Sequence, residues 1–170
     1  MNGKHFEIER KYLIRYPDIP TLLAQKGVEQ WEITQIYLTV SGPNETRRIR
    51  QVVSGGEIRY YKTFKTHLSS LVNMEDEGEI DQMEYIRLCK EMQPGCKPLG
   101  KTRYRIPYQG HVLEFDIYPF WTDRAIMEIE LDSENEGAAI PEYVHIIRDV
   151  SHDIAYKNRQ LAERVVYEEI

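Results

Sequence analysis

The sequence predicts an α+β fold that is mainly antiparallel β, and three observations carry the prediction. Apolar and charged residues alternate with a period of two over most of the chain. Turn-forming stretches, GPNE at Gly42 to Glu45, SGGE at Ser54 to Glu57 and Gln109-Gly110, separate the alternating runs at short spacing. Only a few segments show a helical period. In FEIERKYLI, Phe6 to Ile14, one register holds Phe6, Ile8 and Tyr12 while the other holds Glu7, Glu9 and Lys11. YPDIP interrupts this strand, and TLLAQKG makes a short helix that stops at Gly27. ITQIYLTV and TRRIRQVV are strands on either side of the GPNE turn, and IRYYKTFKT follows SGGE. Asp81 and Glu84 form a capping box that opens a helix over QMEYIRLCKEM, with its stripe expected at Met83, Ile86 and Cys89 or Lys90. KTRYRIPY, HVLEFDIYPF and AIMEIELD are three further strands. From Ala155 the tail YKNRQLAERVVYEEI reads as a helix with Leu161, Val165 and Glu168 on one stripe.

With 170 residues, 41% hydrophobic and 29% charged, the chain is expected to form one domain over 1–170 with its own core. A net charge of −6 argues against a nucleic-acid module with a broad basic surface, while a small basic site inside an acidic protein remains possible. MNGKHFEIER enters the charged strand without an apolar leader, and no long apolar run follows. A cytoplasmic protein without a membrane partner is the expectation, as a monomer or homodimer. Cys89 and Cys96 lack CxxC spacing, and His5, His67, His111, His145 and His152 form no HExxH-like pattern. Ordinary thiols, surface or satisfied histidines and no zinc are therefore expected.

The informative feature is the sorting of charge. Glu7 and Glu9, Arg48 and Arg50, Arg103 and Arg105, Glu114 and Asp116, and Glu128 and Glu130 are like-charged pairs two apart, so each pair shares a strand face. Lys101 extends one pair to three, and Glu75, Glu77 and Glu79 repeat the spacing just before the capped helix. Like charges side by side repel, so stability alone does not select this pattern repeatedly. An open sheet with a charged face toward water is one architecture that accommodates it; a sheet closed into a barrel with a charged lumen is the other. Solvated faces usually mix signs along a strand, whereas here acids and bases lie on different strands. That favours a bipolar cavity, whose bases hold a polyanion and whose carboxylates hold a hard divalent cation. Mg²⁺ fits, because it typically bridges carboxylates to substrate phosphates.

ExExK at Glu7, Glu9 and Lys11 resembles the signature of the CYTH superfamily, the triphosphate tunnel metalloenzymes. Further matches stand in order: QIYL with Gln35 and Tyr37, RIR with Arg48 and Arg50, TFK with Lys65, EDEGEI from Glu75, KTRYRIPY, LEFDIY, MEIEL, and YKNRQLA at Tyr156. KNRQLA stands in place of small polar residues after that tyrosine, and Lys62 adds a base beside TFK. The resemblance implies an eight-stranded antiparallel barrel forming a tunnel, with metal-dependent hydrolysis or cyclisation of triphosphate compounds.

On their chemistry, Glu7, Glu9, Glu128 and Glu130, and then Asp116, are the expected ligands of Mg²⁺ or Mn²⁺. Arg48, Arg50, Lys65, Lys101, Arg103 and Arg105 are the expected phosphate-binding bases, guanidinium forks giving bidentate contacts and lysines point charges. Lys11 shares a face with Glu7 and Glu9, where it either positions the attacked phosphoryl group or lowers the pKa of a nucleophilic water. Arg105 and Glu114 read equally as an ion pair inside the lumen. Glu75 and Glu77 read equally as favourable charge ahead of a helix. Tyr37 reads as a packing residue ahead of a substrate-side hydroxyl, and Lys157 and Arg159 either reach a tunnel mouth or sit on a solvated helix face.

Overall fold

Each alternating run becomes a strand because one register finds apolar partners outside the sheet and the other finds charged partners within it. The computed structural model describes residues 3–170. Its strands are β1 (Gly3–Arg15), β2 (Glu29–Leu38), β3 (Glu45–Ser54), β4 (Glu57–His67), β5 (Val72–Ile80), β6 (Leu99–Tyr108), β7 (His111–Ile117), β8 (Arg124–Leu131) and β9 (Ile146–Asp149). Helix α1 (Ile19–Leu23) precedes β2, α2 (Gln82–Cys89) precedes β6, and a 3-10 turn (Ile154–Tyr156) leads into α3 (Asn158–Leu161).

The strands lie in the order β5-β4-β3-β2-β6-β7-β8-β1-β9, and β5 also pairs with β1. Eight antiparallel strands therefore close into a barrel, and β9 lies outside the ring. Closure leaves the ring without an edge of unpaired backbone groups. One edge of β1 pairs with β8 from Ile8 to Arg15; the other pairs first with β5, over Gly3 to Ile8, and then with β9, over Tyr12 to Ile14. In the gap between β5 and β9 the Lys11 N–H donates to Ser151 Oγ at 2.9 Å, and the Val150 N–H donates to the Lys11 carbonyl at 2.9 Å.

The outward register of β1 and β6 to β8 buries Ile14, Tyr104, Ile106, Leu113, Phe115, Met127 and Ile129 against Leu22 of α1 and the segment around Ile140 and Tyr143. A second patch, Ile36, Leu38 and Ile49, lies under Tyr85 and Leu88 of α2. A third cluster closes part of one barrel end: Leu13, Leu99, Tyr118, Trp121 and Ile126 pack on Val150, Tyr156, Leu161 and Ala162. No helix among the described residues is long and apolar enough to cross a membrane.

Four expectations change. The residue pattern reads seven strands, and the eighth is β5, built from the acidic run at Glu75, Glu77 and Glu79 rather than preceding a helix as a cap. In α2 the Asp81 cap is present, accepting from the Glu84 N–H at 2.8 Å, yet Met83 and Ile86 are 82% and 55% exposed. Tyr85 and Leu88 face the barrel instead, because Tyr85 meets the Tyr60 ring at 4.8 Å. The first helix starts earlier than TLLAQKG, since Asp18 caps it by accepting from the Thr21 N–H at 3.0 Å. The tail is helical only over Asn158–Leu161; beyond it Trp121 Nε1 donates to the Val166 carbonyl at 2.8 Å, a bond to a main-chain group that lies outside helix.

Candidate active site in the barrel lumen

Residues directly opposite in an antiparallel ladder share a face, so register shows what lines the lumen. Lys11 faces Glu128, Glu128 faces Glu114, and Glu114 faces Arg105; Glu9 faces Glu130. Tyr37 faces Arg48, Arg48 faces Thr63, and Thr63 faces Glu77; Lys65 faces Glu75; Arg103 faces Asp116. Every residue expected at the site thus lies on one continuous inner face, with Gln35, Glu75 and Glu77 among them.

Signs are matched across the lumen. Lys65 Nζ donates to Glu7 Oε2 at 2.6 Å and lies 3.0 Å from Glu75. Arg50 donates to Glu77 at 2.8 Å, and the Thr63 hydroxyl donates to the same oxygen at 2.7 Å. Arg48 is more loosely held, 4.0 Å from Glu75 and 3.9 Å from Glu77. On the opposite wall Lys11 pairs with Glu128 at 2.9 Å. Asp116 is enclosed: its Oδ1 accepts from Arg103 Nε at 2.6 Å and its Oδ2 from Lys101 at 2.6 Å and from Arg103 Nη2 at 2.8 Å. Arg103 reaches on to Glu128 at 3.1 Å and Glu114 at 3.0 Å. Arg105 pairs with Glu114 at 3.0 Å and stacks on the Trp31 ring at 4.5 Å, next to the far mouth.

Two acids are left over. Glu9 makes no hydrogen bond or ion pair through its carboxylate among the described residues; burial, then the charges of Glu128 and Glu7, push it up to about 8. Glu130, more open to solvent than Glu9, is also raised, by partial burial and by the charges of Glu7 and Glu114. Glu7 goes the other way: burial opposes its ionisation, but the charge and hydrogen bond of Lys65, with Arg48, hold it at about 2. Burial and Arg103 bring Lys101 down to about 8 despite its bond to Asp116. The Nε atoms of Arg48 and Arg50 are buried without a hydrogen-bond partner, donors directed at no protein acceptor.

Among the described residues no three His, Cys, Asp or Glu side chains converge as a preformed metal cage would. Lysines and arginines stand between the acids. The donor set nonetheless fits a hard cation of the Mg²⁺ type, which is bound through one or two carboxylates with water and substrate oxygens completing the shell. Glu9 and the adjacent Glu130 are carboxylates without an ion pair among the described residues, and burial together with neighbouring carboxylates destabilises them as anions.

The lumen opens into a cavity of about 590 Å³ lined by Glu9, Lys11, Tyr37, Arg48, Lys65 and, at its rim, Lys157. At the other end a cavity of about 310 Å³ is lined by Trp31, Arg50, Tyr61 and Glu77.

No protein-family model matches the sequence, and no curated protein is significantly similar to it. Solved structures do match. The inorganic triphosphatase NE1496 aligns over 94% of this chain and 95% of its own, at 26% identity and a TM-score of 0.56. PH1819 from Pyrococcus horikoshii aligns over 76% of this chain and 80% of its own, at 20% identity and a TM-score of 0.61. The adenylyl cyclase-like protein HpAC1 from Hippeastrum, described as having a dominant triphosphatase activity, aligns over 75% of this chain and 80% of its own at 18% identity and a TM-score of 0.52. The ordered motifs and the closed eight-stranded barrel coincide in one chain. In fold and in the order of its motifs the chain is similar to the CYTH superfamily.

Within this CYTH-like barrel, sequence reasoning undervalued Glu75 and Glu77. Glu75, buried, and Glu77, partly buried, are lumen acids that hold Lys65, Arg48 and Arg50, and their period-two spacing was the available signal. It did not name Thr63, whose parity with Lys65 places it inward, and it set aside His67, whose two ring nitrogens meet Thr46 and Asn73 at the larger mouth. Lys62, beside the TFK motif, points outward to Glu84 of α2 at 3.9 Å.

Proposed function

We propose that this protein hydrolyses a triphosphate in a reaction that depends on a divalent cation, Mg²⁺ or Mn²⁺, with inorganic triphosphate as the preferred substrate. The observation that carries the reading is a closed lumen in which buried guanidinium donors without protein partners face carboxylates without cationic partners. A ligand that supplies anionic oxygens to one wall and a metal to the other satisfies both at once. The structural neighbours NE1496 and HpAC1, triphosphatases by description, support the same reading.

In this reading Arg48, Arg50 and Lys65 bind phosphate oxygens from one wall and Lys101 and Arg103 from the other, holding the terminal phosphorus in line for attack. Asp116, Glu75 and Glu77 keep those bases aimed and ionised. Glu9 and Glu130, with Glu7, would hold the cation, which when bound neutralises phosphate charge and lowers the pKa of water. Lys11, its ammonium held by Glu128 and its main chain by Ser151, stabilises charge developing on the transferring group. Water adds to the terminal phosphorus and gives up a proton, the bridging P–O bond breaks, and pyrophosphate leaves with that bond's electrons. Orthophosphate is the second product.

The test is to incubate the protein with Mg²⁺ and either inorganic triphosphate or ATP and to resolve the products. Orthophosphate with pyrophosphate from inorganic triphosphate is expected. Cyclic AMP from ATP would assign the site to a cyclase, and no turnover of either would leave a polyphosphate-binding module.

A further inference from the structure

Lys157 is the base at the larger mouth whose charge the protein does not answer. Lys11 and Lys65 each have a carboxylate within 3 Å, and Arg48 stands between two. Lys157 lines the same cavity, is half-buried, and makes no ion pair or side-chain hydrogen bond among the described residues. The charged groups acting on it are Lys11, Glu9 and Lys65, two cations against one acid. Burial and those two ammonium groups pull its pKa down, as expected of a cation held near others without compensation.

Its position is fixed rather than trailing. Tyr156 before it is buried in the apolar end cluster. Asn158 after it is buried and accepts a hydrogen bond from the Tyr118 hydroxyl, and the Lys157 N–H donates to the Ile154 carbonyl at 3.0 Å. With its main chain held on both sides, an ammonium that shares the cavity with Lys11 and Lys65 is repelled by them unless an anion lies between. The same cavity is lined by Val40, Pro43, Ile154 and Gln160, and of its aromatic side chains Tyr37 is buried and His67 is held by Thr46 and Asn73.

We propose that Lys157 binds the outermost phosphate of the substrate at the larger mouth and so favours a free phosphate end over an esterified one. The proposal rests on the reading of the lumen as a triphosphate site. A free terminal phosphate carries close to two negative charges at neutral pH, whereas an esterified one carries a single charge.

The experiment compares KM and kcat for inorganic triphosphate and for ATP, with Mg²⁺, in the wild type, Lys157→Met, Lys157→Arg and the outward-facing control Lys62→Met. Unliganded melting temperatures report the fold of each. Losing one charge-assisted contact is expected to raise KM for inorganic triphosphate about ten- to hundredfold in Lys157→Met. Its kcat and its KM for ATP change far less, and Lys157→Arg retains most of the affinity. An unchanged KM in Lys157→Met, or equal losses for both substrates, overturns the proposal while leaving the triphosphatase reading intact. A wild type that neither turns over inorganic triphosphate nor is stabilised by it with Mg²⁺ overturns both.

Discussion

Glu9 and Arg48 show how single side chains are tuned by what surrounds them. In the metal-free tunnel Glu9 is pushed up to about 8 from 4.5, so the folded chain binds that proton more tightly than the unfolded chain. Its contribution to stability is fully present below about pH 4.5 and is lost as pH rises through about 8. In chelator, this group is therefore expected to make the melting temperature fall between about pH 4.5 and pH 8, and Glu9→Gln, which has no proton to lose, should flatten that slope. Parallel slopes in the two proteins would remove the assignment. At saturating Mg²⁺ the same variant should lose turnover by orders of magnitude, a loss on the scale of the several kcal/mol a metal ion supplies. Arg48 has a buried Nε without an acceptor and only distant acids, so its fork is free to meet a phosphate. Arg48→Lys keeps the charge and loses the fork; a clear fall in triphosphate affinity is expected by calorimetry, and unchanged affinity would make Arg48 structural.

Elements differ in how much of themselves the sequence discloses. Strands β1, β3, β6 and β8 were legible because charge on one register and apolar residues on the other leave one arrangement that satisfies both. Nearly all of the lumen could be listed on that basis, since period two fixes the facing of every residue once one is placed. Strand β5 was not legible: its acids run up to a real capping box at Asp81, and acids ahead of a helix are common. Strand β9 spans only Ile146–Asp149, too short for a period to register. Helix α2 was found but turned the wrong way, because Met83 and Ile86 make an apolar stripe while the tertiary partner at Tyr60 selects Tyr85. That rotation has a measurable cost pattern. Leu88→Ala should destabilise by about 2–5 kcal/mol in urea denaturation, and Ile86→Ala by less than about 0.5 kcal/mol. Reversed magnitudes would restore the stripe read from sequence.

At the scale of the whole molecule, the barrel confines many charges that ligand and metal together would neutralise. Saturation to about a hundred times the dissociation constant adds about 2.7 kcal/mol to the folded state. For a chain of this size that raises the melting temperature by roughly 5–10 °C. Triphosphate, or a slowly hydrolysed analogue of it, should produce the rise in Mg²⁺ and little of it in chelator, as followed by scanning fluorimetry. Equal small shifts in both conditions would mean that the ligand acts only through ionic strength. The way β1 changes partners has another consequence, in time rather than space. Ser151, which completes the hydrogen bonding of Lys11, lies 140 residues further along the chain. At about 5–20 residues per second of synthesis, β1 waits roughly 7–28 s for that partner. A waiting strand is an aggregation hazard unless it carries charge. Replacing Glu7 and Glu9 by isoleucine is expected to raise the insoluble fraction in chaperone-free translation more than the same change at Glu128 and Glu130, which emerge late; equal losses would discard the idea. On that expectation the carboxylates of β1 would act before the barrel closes, keeping the nascent strand apart from its neighbours until the rest of the wall arrives.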